Sequence, residues 1–124
     1  MLQKDHLEAV GPGWRPILHV LSRSMEGFLA RCPNLGAEIR ILQIKEKFGS
    51  LRVYYEAPGF SPEERRELGN VVNFAESLSL RMCETCGRPA ADTRMPLAAK
   101  YGWSKTLCEE HHAERDAKHP ARTR

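Results

Sequence analysis

The chain has 124 residues, 41% hydrophobic and 28% charged, which suits one ordinary globular domain with at most a small metal-organised extension and excludes a disordered or fibrous protein. That length leaves little room for a large catalytic cleft. The formal charge of +3 is confined to the C-terminal part, since residues 1–80 hold ten basic and ten acidic side chains and residues 81–124 hold nine and six.

Three metal-bound thiolates and a divalent ion would add about −1 to that part, so net charge alone gives little support to a nucleic-acid partner. No run approaches the roughly 20 apolar residues that span a bilayer, and Met1-Leu2-Gln3-Lys4-Asp5-His6 offers no apolar signal core. A cytoplasmic location without a membrane partner is therefore expected. In a reducing compartment the four cysteines argue for metal binding or redox chemistry rather than a disulfide framework.

The first predicted element is a helix over 16–31, entered through Gly11-Pro12-Gly13 with Pro16 at an early helical position. Trp14, Ile17, Leu18, Leu21, Met25, Phe28, Leu29 and Cys32 recur at three- and four-residue steps, so they share one face that must be covered. Cys32 belongs to that face as a core residue, not as a ligand. Pro33 and Asn34-Leu35-Gly36 end the helix.

A hairpin follows over 38–47 and 50–57, reversing at Phe48-Gly49. With those two residues as the loop, Glu46 faces Leu51, Ile44 faces Val53 and Leu42 faces Tyr55. This register gathers Leu42, Ile44, Leu51, Val53 and Tyr55 on the side that helices cover. The other side carries Gln43, Lys45, Arg52 and Tyr54, with Lys47 beside them, and sets Lys45 directly across from Arg52. Like charges so placed cost roughly a few tenths of a kcal/mol or more unless an anion or an acidic partner lies between them.

The clearest start signal belongs to the second helix. Ser61-Pro62-Glu63-Glu64 supplies an N-cap serine, a first-turn proline and a glutamate three residues on, which together make a capping box. Leu68, Val71, Val72, Ala75, Leu78 and Met82 then form an apolar stripe. Beyond Met82 the chain is short of apolar groups. Leu97, Tyr101, Trp103 and Leu107 cannot by themselves offset an ordering cost of about 1–2 kcal/mol per residue over 82–119.

A metal ion supplies what is missing. Cys83-Glu84-Thr85-Cys86-Gly87 has the two-residue spacing that lets two thiolates grip one tetrahedral ion, and its glycine allows the tight turn that aims backbone N–H groups at sulfur. Cys108-Glu109-Glu110-His111-His112 follows. Thr106 and Glu109 read as a further capping box, which puts Cys108 in the first turn of a helix ending before Pro120, with His111 and His112 both on its face as candidate fourth ligands. A knuckle, a hairpin over 88–105 and a helix whose first turn completes the ligand set describe a treble-clef-like zinc finger. Three cysteines and one histidine leave no open coordination position, so the Zn²⁺ would be structural, contributing of order 10 kcal/mol in a small finger.

Other chemistry finds less support. A redox C-x₂-C pair sits between strand and helix of a βαβ unit, and no such unit is encoded here. An HNH-type nuclease shares the treble-clef frame but needs a histidine on the hairpin, and 88–105 contains none. His6, His19 and His119 are isolated, the chain has no nucleophile elbow, phosphate loop or His-Glu-x-x-His helix, and Glu63-Glu64 and Glu109-Glu110 serve as helix N-terminal charges.

Gly13-Trp14-Arg15-Pro16, the run from Gln43 through Lys45-Glu46-Lys47-Phe48-Gly49 to Tyr55, Cys83-Glu84-Thr85-Cys86-Gly87 and Thr106-Leu107-Cys108-Glu109-Glu110-His111 resemble a family of small zinc-binding proteins of bacterial and phage genomes. The resemblance covers about 11–112 and implies the same layout without implying an activity. It favours His111 as the fourth ligand, and a phage setting would suit an inhibitor or modulator of a host protein.

The fold expected is α+β, an αββα body over 1–82 followed by the zinc finger over 83–119 and a tail over 120–124. The function expected is that of a non-enzymatic binding module presenting Gln43, Lys45, Lys47, Arg52 and Tyr54 to an acidic protein surface or to nucleic acid. A metal-dependent nuclease or hydrolase and a self-associating structural protein are the competing classes.

Overall fold

The helix start expected at Ser61-Pro62-Glu63-Glu64 is realised as read from the sequence. The Ser61 hydroxyl accepts from the Glu64 N–H at 3.1 Å and the Glu64 carboxylate accepts from the Ser61 N–H at 2.8 Å, so the capping box forms in full. The computed structural model describes residues 1–99 and 102–119; Tyr101 and the tail over 120–124 lie outside the described residues. In chain order the elements are α1 (Lys4–Glu8), a 3₁₀ turn (Pro12–Trp14), α2 (Arg15–Arg31), β1 (Arg40–Lys47), β2 (Ser50–Glu56), α3 (Pro62–Ser79), β3 (Asp92–Arg94), β4 (Lys105–Leu107) and α4 (Glu109–Lys118). The class is mixed α+β, with two separate antiparallel two-stranded sheets, β1–β2 and β3–β4.

The stripe of α2 is internal. Trp14, Ile17, Leu18, Leu21, Met25 and Phe28 are buried with Ile44, Leu51, Val53, Leu68, Val72 and Ala75 in one core, and Cys32 packs partly buried at its margin. The short α1 was not expected. Its Gln3 cap is reciprocated by His6, whose Nδ1 accepts from the Gln3 N–H at 3.1 Å, and Leu2 and Leu7 lean on the core.

The β1–β2 register matches expectation from Lys47↔Ser50 to Gln43↔Tyr54, with Lys45 opposite Arg52. It departs at Leu42, which does not face Tyr55: the register shifts between Ile41 and Gln43, Ile41 takes the place opposite Tyr55, and Leu42 is exposed. A strict alternation would have buried Leu42 and exposed both Ile39 and Ile41. The bulge reverses the parity, so Ile39 is buried and Ile41 packs against the core.

The free edge of β2 is closed by α3, because the Leu51 N–H donates to Ser79 Oγ and the Val53 N–H to Glu76 Oε2, each at 2.9 Å. Two amides that would otherwise present a pairing edge are thereby satisfied.

The capping box expected at Thr106 and Glu109 does not form. Thr106 lies inside β4, its hydroxyl engaged with Thr93 and the Gly49 carbonyl, and α4 begins at Glu109 with Cys108 as its N-cap. Among apolar residues of the C-terminal segment, Leu97 and Trp103 are exposed, and the buried group there is Cys83, Leu107 and Cys108. Two of those three are sulfur donors.

Candidate metal centre and cationic hairpin face

The turn after α3 brings Cys83 and Cys86 together, and the N-terminus of α4 brings Cys108 and His111 to them. The ligand atoms of these four residues all lie within 4.8 Å of one another, close enough to hold one metal ion. His111 Nδ1 is 3.2 Å from Cys108 Sγ and 3.5 Å from Cys83 Sγ, and Cys86 Sγ is 3.9 Å from Cys108 Sγ. Residue i+3 from the N-cap points at the sulfurs; residue i+4 does not. His112 is buried, with Nε2 at 2.9 Å from the Asp92 carbonyl oxygen and 2.8 Å from Asp92 Oδ1. Both neighbours are acceptors, so Nε2 carries the proton and His112 acts as a buried strut between α4 and β3 rather than a ligand.

The electrostatics suit anionic sulfur at Cys86 and Cys83. Arg88 Nε donates to Cys86 Sγ at 3.4 Å, which lowers that thiol to about 6. Burial pushes the Cys83 thiol up, but the backbone amides of Cys108, Cys86 and Thr85 more than offset it, so its net direction is down. Burial dominates at Cys108 and raises it. For His111, burial disfavours the charged ring, yet hydrogen bonding to the Cys83 and Cys86 thiolates outweighs that and raises its pKa. Arg88 also pairs with Glu110, binding the knuckle to α4.

The knuckle is gripped from behind by the Gly11-Pro12-Gly13 turn. The Gly13 N–H donates to the Glu84 carbonyl at 2.9 Å, and Trp14 Nε1 donates to the Met82 carbonyl at 2.9 Å. A Cβ at Gly13 would lie 2.0 Å from the Cys83 oxygen and 2.6 Å from the Gly87 nitrogen, which is why no side chain fits there. Glu84, inside the C-x₂-C pair, is buried and accepts from Lys105 Nζ at 3.0 Å and the Thr106 N–H at 3.1 Å. Sequence reasoning passed over Glu84, Arg88 and the packing role of the two glycines. Glycine on both sides of Pro12 was the available signal.

On the hairpin, Gln43, Lys45, Lys47, Arg52 and Tyr54 share the side turned away from the core. Arg52 Nε donates to Ser50 Oγ at 3.1 Å. Among the described residues none of Lys45, Lys47 and Arg52 makes an ion pair. Lys45 Nζ sits 5.4 Å from the Tyr54 ring centroid, and Lys47 Nζ 5.7 Å from that of Phe48. Phe48 extends this surface and was not among the residues expected in it.

Among the described residues no helix is long and apolar enough to cross a membrane. Comparison of the chain with protein-family models, with curated proteins and with solved structures finds no match.

Proposed function

We propose that the chain is a non-catalytic binding module in which a structural Zn²⁺ in a treble-clef-like finger stiffens the C-terminal segment, and the basic hairpin face captures an acidic protein surface or nucleic acid. The donor set supports zinc. In a tetrahedral site with Zn–S near 2.3 Å, sulfurs stand about 3.8 Å apart, close to the 3.9 Å between Cys86 and Cys108. With all four positions taken by protein, the ion would act by holding structure, not by activating water.

The observation that carries the capture reading is the cross-strand pair Lys45↔Arg52, two cations facing each other with no ion pair to either among the described residues. A solvated hairpin gains nothing from that juxtaposition, whereas an anion set between the two relieves it. The test is Lys45→Glu with Arg52→Glu, assayed by retention on polyanionic matrices and by elemental analysis. One zinc per chain in both proteins, with retention lost only in the variant, is expected. Zinc well below stoichiometry, or unchanged retention, would overturn the reading.

Self-association is a second reading, supported by the exposure of Val20 and Phe74 beside an apolar recess between α2 and α3. Light scattering at increasing concentration decides it, since a constant monomer mass would remove it.

A further inference from the structure

The hairpin turn is built on a residue that suits it poorly. Phe48 has φ 55° and Gly49 φ 79°, the two left-handed positions of a type I′ loop, where asparagine, aspartate or glycine is favoured. A bulky non-glycine residue there is strained, and Phe48 recovers little by packing, being 64% exposed with the Lys47 ammonium 5.7 Å from its ring centroid. The turn does not need the ring either, because the Gly49 N–H is held by Glu46 Oε1 at 2.7 Å and the Gly49 carbonyl by Thr106 Oγ1 at 2.6 Å. Strain without structural return points to a ring placed for contact.

The surface beside it continues in kind. From the tip inward run Phe48 with Lys47, then the pair Lys45↔Arg52, then Tyr54, 40% exposed, opposite Gln43. Rings and cations alternate along one side of two strands. A purely acidic protein patch would answer the cations and offer the Phe48 ring nothing to stack on. A duplex would answer them too, but it keeps its base faces inside the stack. A single strand offers phosphates and unstacked base faces together, which matches both parts of this surface.

Resting on the proposed capture role of the same face, we infer that its ligand is single-stranded nucleic acid, bound with little sequence preference. Phe48 and Tyr54 stack on bases, while Lys45, Lys47 and Arg52 contact phosphates. Gln43, the only amide side chain among these residues, offers a donor and an acceptor together to a base edge.

The test is fluorescence anisotropy of the full chain with labelled oligothymidylate of about 12 nucleotides, a duplex of that length and a polyglutamate peptide, lengths within the usual site sizes of such surfaces. The single strand should bind at least about tenfold more tightly than either competitor. Phe48→Asn should weaken single-strand binding by roughly tenfold while raising the melting temperature, because Asn-Gly suits the turn. A loss of binding in a more stable protein cannot come from unfolding. Tyr54→Thr should weaken binding similarly, and Lys47→Gln should lower the slope of log affinity against log salt by about 1. Equal binding of duplex or polyglutamate, or undiminished binding by Phe48→Asn, overturns the inference. If polyanion retention still depends on Lys45 and Arg52 in that event, the broader capture reading stands; if charge reversal changes nothing, both fall.

Discussion

The Thr106 hydroxyl donates to the Gly49 carbonyl across 2.6 Å, and both groups are buried. One bond thus ties the tip of the first hairpin to the strand that leads into the candidate metal centre. Thr106→Val keeps the shape of the side chain and strands the Gly49 carbonyl, so it should cost about 1–3 kcal/mol. Chemical denaturation measures the loss. Hydrogen exchange of the tip amides at 48–50 should accelerate more than that of the α2 amides, whose packing the bond does not touch.

Gly13 and Gly27 should respond in opposite directions to alanine. At Gly13 the new methyl meets Cys83 and Gly87 backbone at 2.0 and 2.6 Å, whereas at Gly27 the nearest group is the flexible end of Arg31 at 3.6 Å. Gly13→Ala should lower metal affinity by about tenfold or more, as loss of support behind a ligand commonly does. Gly27→Ala, in the middle of α2, should stabilise by up to about 1 kcal/mol. Competition with a chromophoric chelator and thermal melting report the two effects. Equal metal affinity in Gly13→Ala would refute the proposed gripping of the knuckle.

His111 and His112 are neighbours with separable roles. His111→Ala should lose stoichiometric metal, and its cobalt-substituted form should lose the absorption bands of a tetrahedral thiolate site. His112→Ala should retain metal and those bands but melt earlier, because it removes the bond to Asp92 and leaves a cavity between α4 and β3. Retention of metal by His111→Ala would reverse the assignment.

Acid should release the metal, since protons compete for the thiolates and His111. The sign at Cys86 is set by Arg88, whose guanidinium lowers the thiol from its ordinary value near 9.0 to about 6. A depressed thiol remains available to metal above that lower value and is lost as the pH falls through it. Arg88→Gln removes the charged guanidinium donor, returns the thiol toward its ordinary value and should move the midpoint of release to higher pH. A titration with a chromogenic zinc indicator measures the shift; a midpoint unmoved or lowered would show that Arg88 does not tune the site.

Much of this architecture was legible before coordinates. The α3 start could be read from Ser61 to Glu64, and the α2 core face from its three- and four-residue spacing, because each signal is complete within one or two helical turns. The loop at Phe48-Gly49 set the strand pairing for the same reason, as far as Gln43. Beyond it, the bulge at Leu42 depended on whether Ile39 and Ile41 found a core to enter. Thr106 misled because its hydroxyl can cap a helix or bond a distant carbonyl, and Gly49 is 57 residues away.

The amino-acid order alone determined α2, α3 and α4, the two-residue turn and the grouping of Cys83, Cys86 and Cys108 with a neighbouring histidine, since capping, periodicity and ligand spacing act over a few residues. Tertiary structure decided which histidine faces the sulfurs, which side of β1 is inward at Ile39 and Ile41, and that Gly13 and Gly49 seat the knuckle and the hairpin tip. Those outcomes depend on Asp92, the helical core, Glu84 and Thr106. Each reaches its counterpart only after the chain has folded back on itself, and no local pattern records such a meeting.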